Sequence, residues 1–94
     1  MSLTVPILIK INFSMYHTYI LKSLKTKKFY IGYSENLEER IKLHNQGAVK
    51  ATKNKGPWKM VYSEKFYNSR EAVHREKQIK SWKNRNSVEK LILK

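Results

Sequence analysis

A glycine inside a strand is the feature that most limits how this chain can fold. The segment Tyr16-His-Thr-Tyr19-Ile-Leu-Lys-Ser-Leu-Lys-Thr-Lys-Lys-Phe-Tyr30-Ile-Gly32-Tyr-Ser reads as two short strands rich in aromatic and β-branched residues. A polar turn at Lys25-Thr26-Lys27-Lys28 joins them into a hairpin. Period-two alternation puts Phe29, Ile31 and Tyr33 on one face of the second strand, with Tyr30, Gly32 and Ser34 on the other. Glycine weakens a strand unless a ligand or another backbone must come close there. Directly opposed residues of a hairpin point to the same face, so Tyr19 and Tyr30 could stand side by side next to Gly32, with the register left open by the sequence. Core tyrosines in an ordinary hairpin are the plainer reading of these two strands.

The remaining elements follow from capping patterns. Asn36-Leu-Glu-Glu39 opens a helix that should run to Gln46, with Gly47 as its stop. Leu37, Ile41 and His44 share one stripe of that helix, with Arg40 on the stripe's edge. Residues 47–57 form a basic loop without periodicity, in which Lys50, Lys53, Lys55 and Thr52 either grip phosphates or sit in solvent. Trp58 to Phe66 reads as a third strand. Asn68-Ser-Arg-Glu71 caps a helix reaching about Lys83, and Asn86-Ser-Val-Glu89 caps a short last one whose Val88, Leu91 and Ile92 pack on the sheet. The expected fold is α+β: a small three-stranded antiparallel sheet flanked by three helices.

Charge narrows the partners. Twenty Lys and Arg against seven acidic groups give a formal charge of +13, which favours polyanions. Nucleic acid comes first, an anionic membrane surface second; no run is apolar enough to span a bilayer. With no cysteine, disulfides, thiolate zinc sites and cysteine nucleophiles are excluded. Every acidic residue is Glu, so a cluster of many metal-binding carboxylates is improbable. Glu38, Glu39, Glu71 and Glu89 fall in first helical turns, where they complement the dipole; Glu35 precedes one, and Glu64 lies on a half-wet strand. Glu76 alone sits in mid-helix and faces inward, and it needs a partner. Arg75 or Lys80 would be a structural one, a metal or the Arg40 side of a cleft a functional one.

The ordered set Tyr19, Tyr30-Ile31-Gly32, Arg40, His44 and Glu76 resembles the GIY-YIG nuclease family, in its small stand-alone bacterial form, similar also to the N-terminal nuclease domain of the bacterial excision-repair incision subunit. The second signature is intact. The first survives only as its tyrosine, in His17-Thr18-Tyr19. The resemblance runs from about Met15 to Leu93. Residues 1–14 are then an extension, not part of the fold, or Met15 is the initiator; residues 15–94 form the nuclease-like domain.

The resemblance implies a metal-dependent endonuclease acting on DNA phosphodiesters, with weak sequence specificity, in repair or processing. Glu76 would hold one divalent ion, Mg²⁺ or Mn²⁺, and Arg40 would face the phosphate. Tyr19 or Tyr30 would orient or deprotonate the water, with cations in the cleft lowering the phenol's pKa, and His44 would assist or hydrogen-bond Tyr30. Lys50, Lys53, Lys55, Lys77, Lys80 and Lys83 would add diffuse phosphate contacts. DNA is expected ahead of RNA, no membrane, a cytoplasmic location, and a partner protein or DNA structure to direct targeting. The family also carries an asparagine beyond its glutamate; Asn84 and Asn86 lie near that region, and Asn86 is taken as a cap. The rival readings are a basic nucleic-acid-binding module of this fold with little catalysis, and a structural protein on ribosomal RNA.

Overall fold

A computed structural model describes residues 15–94; the expected extension at 1–14 lies outside the described residues. The order of elements is β1 (Tyr16–Ser23), β2 (Phe29–Ser34), α1 (Leu37–Asn45), a 3₁₀ turn (Lys50–Thr52), β3 (Trp58–Phe66), α2 (Ser69–Trp82) and α3 (Arg85–Ile92). The three strands form one antiparallel sheet in the order β2-β1-β3. The α+β fold expected from the sequence is the one observed.

The hairpin turn is built around Ser23. Its hydroxyl accepts from the amides of Lys25 and Thr26 at 3.0 and 2.8 Å, and donates to the Lys55 carbonyl at 2.6 Å. The Leu24 amide donates to the Pro57 carbonyl at 2.9 Å, so the turn is sewn to the basic loop as well as to itself. In the resulting register Tyr19 stands opposite Gly32, and Tyr30 stands opposite Leu21. The two tyrosines share a face as expected, but they are diagonal neighbours. On the other side, β3 pairs with β1 up to Ile20–Tyr62, then shifts so that Leu21 faces Met60. One extra residue in β3 absorbs the shift as a bulge.

Alternation along β1 splits the interior in two. Ile20 joins Ile79, Val88 and Leu91, with Phe29, Ile31, Val61, Tyr62, Trp82 and Ile92 packed around them. That layer seats α2 and α3 on one side of the sheet. Tyr19, Leu21 and Trp58 form the second layer with Tyr30, Leu37 and Ile41, and it seats α1 on the other.

The caps hold two of the three helices where the sequence puts them. Asn36 accepts from the Glu39 amide at 3.1 Å, and Asn68 from the Glu71 amide at 2.9 Å. Gly47 ends α1 with a φ of +79°, a conformation glycine adopts without strain. The third helix begins earlier than expected. Asn84 is its cap, accepting from the amides of Asn86 and Ser87 at 2.8 and 3.3 Å, and Asn86 lies inside the helix. Glu89 is drawn into an i,i+4 pair with Arg85 at 3.0 Å, so it does not complete a capping box.

Candidate active site

Tyr19 is the centre of the site because it is central in the sheet: β1 is the middle strand, and Gly32 opposite gives the ring room. A Cβ built on Gly32 would lie 2.7 Å from the Tyr19 hydroxyl oxygen, 2.8 Å from Cζ and 3.0 Å from Tyr30 Cε2. The glycine is required by the close approach of an aromatic side chain.

Helix α1 supplies the next layer. Leu37 and Ile41 anchor it against Tyr19, Leu21 and Trp58, which turns His44 into the protein, where it is 1% exposed. His44 Nε2 lies 2.9 Å from the Tyr19 hydroxyl, and Nδ1 lies 2.8 Å from the Thr52 hydroxyl. The sequence reading offered His44 either a part in proton transfer or a hydrogen bond to Tyr30. The structure gives its hydrogen bond to Tyr19, because Tyr30 meets the imidazole ring to ring at 4.9 Å between centroids. Tyr30 also packs edge-on to Trp58 at 6.4 Å.

The electrostatics differ from expectation. Burial, followed by the positive charge of Arg40, lowers the pKa of His44 to about 4. Burial raises that of Tyr19; the Arg40 guanidinium pulls it down, and the charges of Tyr30 and Glu76 push it up. Cations in the cleft were expected to make a tyrosine more acidic. Desolvation outweighs them at Tyr19, and at neutral pH the Tyr19–His44 pair is uncharged.

Arg40 lies one turn before His44, and its charge acts on both Tyr19 and His44. Its Nε is buried and has no hydrogen-bond partner; His17 Nδ1 is the other such atom found among the described residues. Such an atom is costly until something pairs with it. On the far side, α2 is tied to β1 by the Thr18 hydroxyl, which donates to the Ala72 carbonyl at 2.7 Å. Glu76 is one turn further on, and its charge acts on Tyr19. Four of the five residues expected to carry the chemistry, Tyr19, Tyr30, Arg40 and His44, thus cluster around one hydroxyl, and Glu76 addresses it electrostatically.

Of the two structural partners considered for Glu76, Lys80 is the one found, at 2.6 Å; the Glu76 side chain is 13% exposed and that of Lys80 49%. Arg75 turns the other way. It forks onto Glu64, with Nη2 2.9 Å from Oε2, and donates to Gln78 at 2.7 Å; the Tyr62 hydroxyl also donates to Glu64. Glu64 is therefore a buttress between β3 and α2. Among the described residues no group of three or more His, Cys, Asp or Glu side chains is placed to hold a metal. An ion at Glu76 would therefore have one protein carboxylate, with water completing its shell.

The lysines divide. Lys50, Lys53 and Lys55 are exposed on the loop, as are Lys77 and Lys83 on and after α2. Lys80 is engaged by Glu76. Thr52 is fully buried, which removes it from the expected phosphate grip. The sequence held no signal for Thr52 as a partner of His44, nor for Asn45, which clamps the Trp58 amide at 2.7 Å and its carbonyl at 3.2 Å. Among the described residues, no helix is long and apolar enough to cross a membrane.

Comparison with known proteins follows the same outline. A family model described as the GIY-YIG catalytic domain matches residues 15–90. A UPF0213 protein of Clostridium perfringens is 51% identical over 67 residues, covering 70% of this chain and 71% of its own. A UPF0213 protein of Oceanobacillus iheyensis is 38% identical over 66 residues, covering 69% and 76%. The solution NMR structure of a UPF0213 protein from Bacillus halodurans superposes with a TM-score of 0.54 at 32% identity, covering 83% of this chain and 82% of that one.

Proposed function

The chain belongs to the GIY-YIG family, a nuclease superfamily, and from that premise we propose that it is a metal-dependent endonuclease that hydrolyses DNA phosphodiester bonds in repair or processing. The observation that carries the reading is the convergence on the Tyr19 hydroxyl of a buried neutral imidazole, an arginine with an unpaired buried nitrogen, and the charge of Glu76.

Each group has a role suited to its surroundings. Arg40 offers a planar fork of donors to phosphate oxygens. Tyr19 and His44, both neutral, act by orientation: the phenol gives its proton to one side and presents lone pairs to the other, where an attacking water can be held. Tyr30 packs against the His44 and Trp58 rings and holds them in place. Glu76 would bind one Mg²⁺ or Mn²⁺ in place of the Lys80 ammonium. When bound, the ion supplies positive charge to the phosphate and to the departing oxygen. Lys50, Lys53, Lys55, Lys77 and Lys83 would hold the strand without reading bases.

The Glu76–Lys80 ion pair favours a second reading, a nucleic-acid-binding module with little catalysis, since it satisfies the carboxylate without a metal. One experiment separates the two. Supercoiled plasmid is incubated with Mg²⁺, Mn²⁺ or EDTA and wild-type, Glu76→Ala or Arg40→Ala protein, each checked for folding by circular dichroism. Metal-dependent nicking lost in both variants is the expected result. Tight plasmid binding with no nicking under either metal would sink the enzyme reading and leave the binding module.

A further inference from the structure

The hydrogen bonds of His44 do not stop at Tyr19. From the Tyr19 hydroxyl the chain runs 2.9 Å to His44 Nε2, from Nδ1 2.8 Å to Thr52 Oγ1, and from there 3.3 Å to the Val49 carbonyl. Tyr19, His44 and Thr52 are all at most 1% exposed, so bulk water does not compete for these bonds. A neutral imidazole donates from one nitrogen and accepts at the other, and which does which is set by its neighbours.

The Val49 end sets the direction of the chain. The Val49 carbonyl can only accept, and with the single proton of the Thr52 hydroxyl directed to it at 3.3 Å, the hydroxyl oxygen is left to accept from His44 Nδ1–H at 2.8 Å. At the other end, an imidazole with its proton on Nδ1 leaves Nε2 as an acceptor, 2.9 Å from the Tyr19 hydroxyl. Tyr19 then sends its own proton to Nε2. Thr52 is itself fixed in place. Its carbonyl accepts from Trp58 Nε1 at 3.1 Å, and Asn45 clamps the backbone of Trp58.

We propose that Thr52 is a positioning residue: its hydroxyl locks His44 in the Nδ1–H tautomer, so that Nε2 accepts the Tyr19 proton and leaves the phenol's lone pairs free of the imidazole. The kinetic consequence rests on the nuclease reading; the tautomer itself does not. Thr52 reaches the site only through His44.

The test joins a spectroscopic readout to a kinetic one. Nitrogen-15 NMR of the histidine rings in wild-type protein should show His44 with a protonated Nδ1 and a pyridine-like Nε2. Thr52→Ser should keep that pattern. Thr52→Val, close to the same shape but without the hydroxyl, should move the proton to Nε2. In the plasmid assay Thr52→Val should lose ~10- to 100-fold in turnover with KM little changed, a loss of the size seen for groups that orient a working side chain, and Thr52→Ser should restore most of it. A wild-type His44 protonated on Nε2, or a tautomer untouched by Thr52→Val, overturns the proposal. Should wild-type protein nick nothing, the nuclease reading fails while the NMR result still decides the role of Thr52.

Discussion

His44 must be neutral to lie where it does, and acid forces a proton onto it. Its pKa falls from 6.5 to about 4 on folding, because burial and Arg40 both oppose the charge. As the folded value is the lower one, the unfolded chain takes up the proton first as pH drops. Stability from this group is thus complete above pH 6.5, declines between pH 6.5 and about 4, and has gone below that. At about 1.4 kcal/mol for each pH unit of difference, the whole window is worth about 3 kcal/mol. That is a large share of the 5–15 kcal/mol typical of a domain. The assay is urea unfolding across the window for wild-type and His44→Gln proteins. Gln does not titrate, and the depressed carboxyl of Glu64, held down by Arg75 and Tyr62 against the effect of its burial, is common to both. Their difference therefore isolates His44: the gap between the two stabilities should narrow or reverse by about 3 kcal/mol from pH 7 to pH 4. Parallel profiles would refute the claim that this imidazole is held neutral by its surroundings.

Two further outcomes concern the frame of the site. Gly32→Ala puts a Cβ into the Tyr19 ring, and displacing that ring from His44 should cost about 2 kcal/mol or more in chemical denaturation; a change near zero would show that the ring moves aside freely. Asn84→Ala should cost about 1 kcal/mol through loss of the α3 cap, and Asn86→Ala less than about 0.5 kcal/mol. The reverse order in thermal melts would restore the cap expected from the sequence.

What could be read in the sequence was mostly local. Gly32 stood out because strands avoid glycine, and Asn36 and Asn68 because a cap and the amide it serves lie three residues apart. Local rules also explain the error at α3. Two asparagines lie two residues apart, and Glu89 seemed to complete a capping box with the second, but it is used by Arg85. The misses were matters of partner choice over distance. Nothing near Thr52 in a lysine-rich loop signals that His44, eight residues away, will claim it. Nor does the sequence reveal that Arg75 prefers Glu64, eleven residues back across the sheet, and leaves Lys80 to Glu76. Choices of that kind are made by packing, once the bulge in β3 and the two layers around β1 have fixed which side chains meet.

The Ser23 knot has a consequence for binding. Through the bonds of Ser23 and Leu24 to the carbonyls of Lys55 and Pro57, a loop rich in lysines is fastened to the hairpin before any polyanion arrives. Its ordering has been completed during folding, so any contacts to phosphate that Lys50, Lys53 and Lys55 would make need not repay that entropy. The lysine side chains are exposed, and the backbone that carries them is a preorganised platform, one turn of which, at Thr52, rests directly on His44.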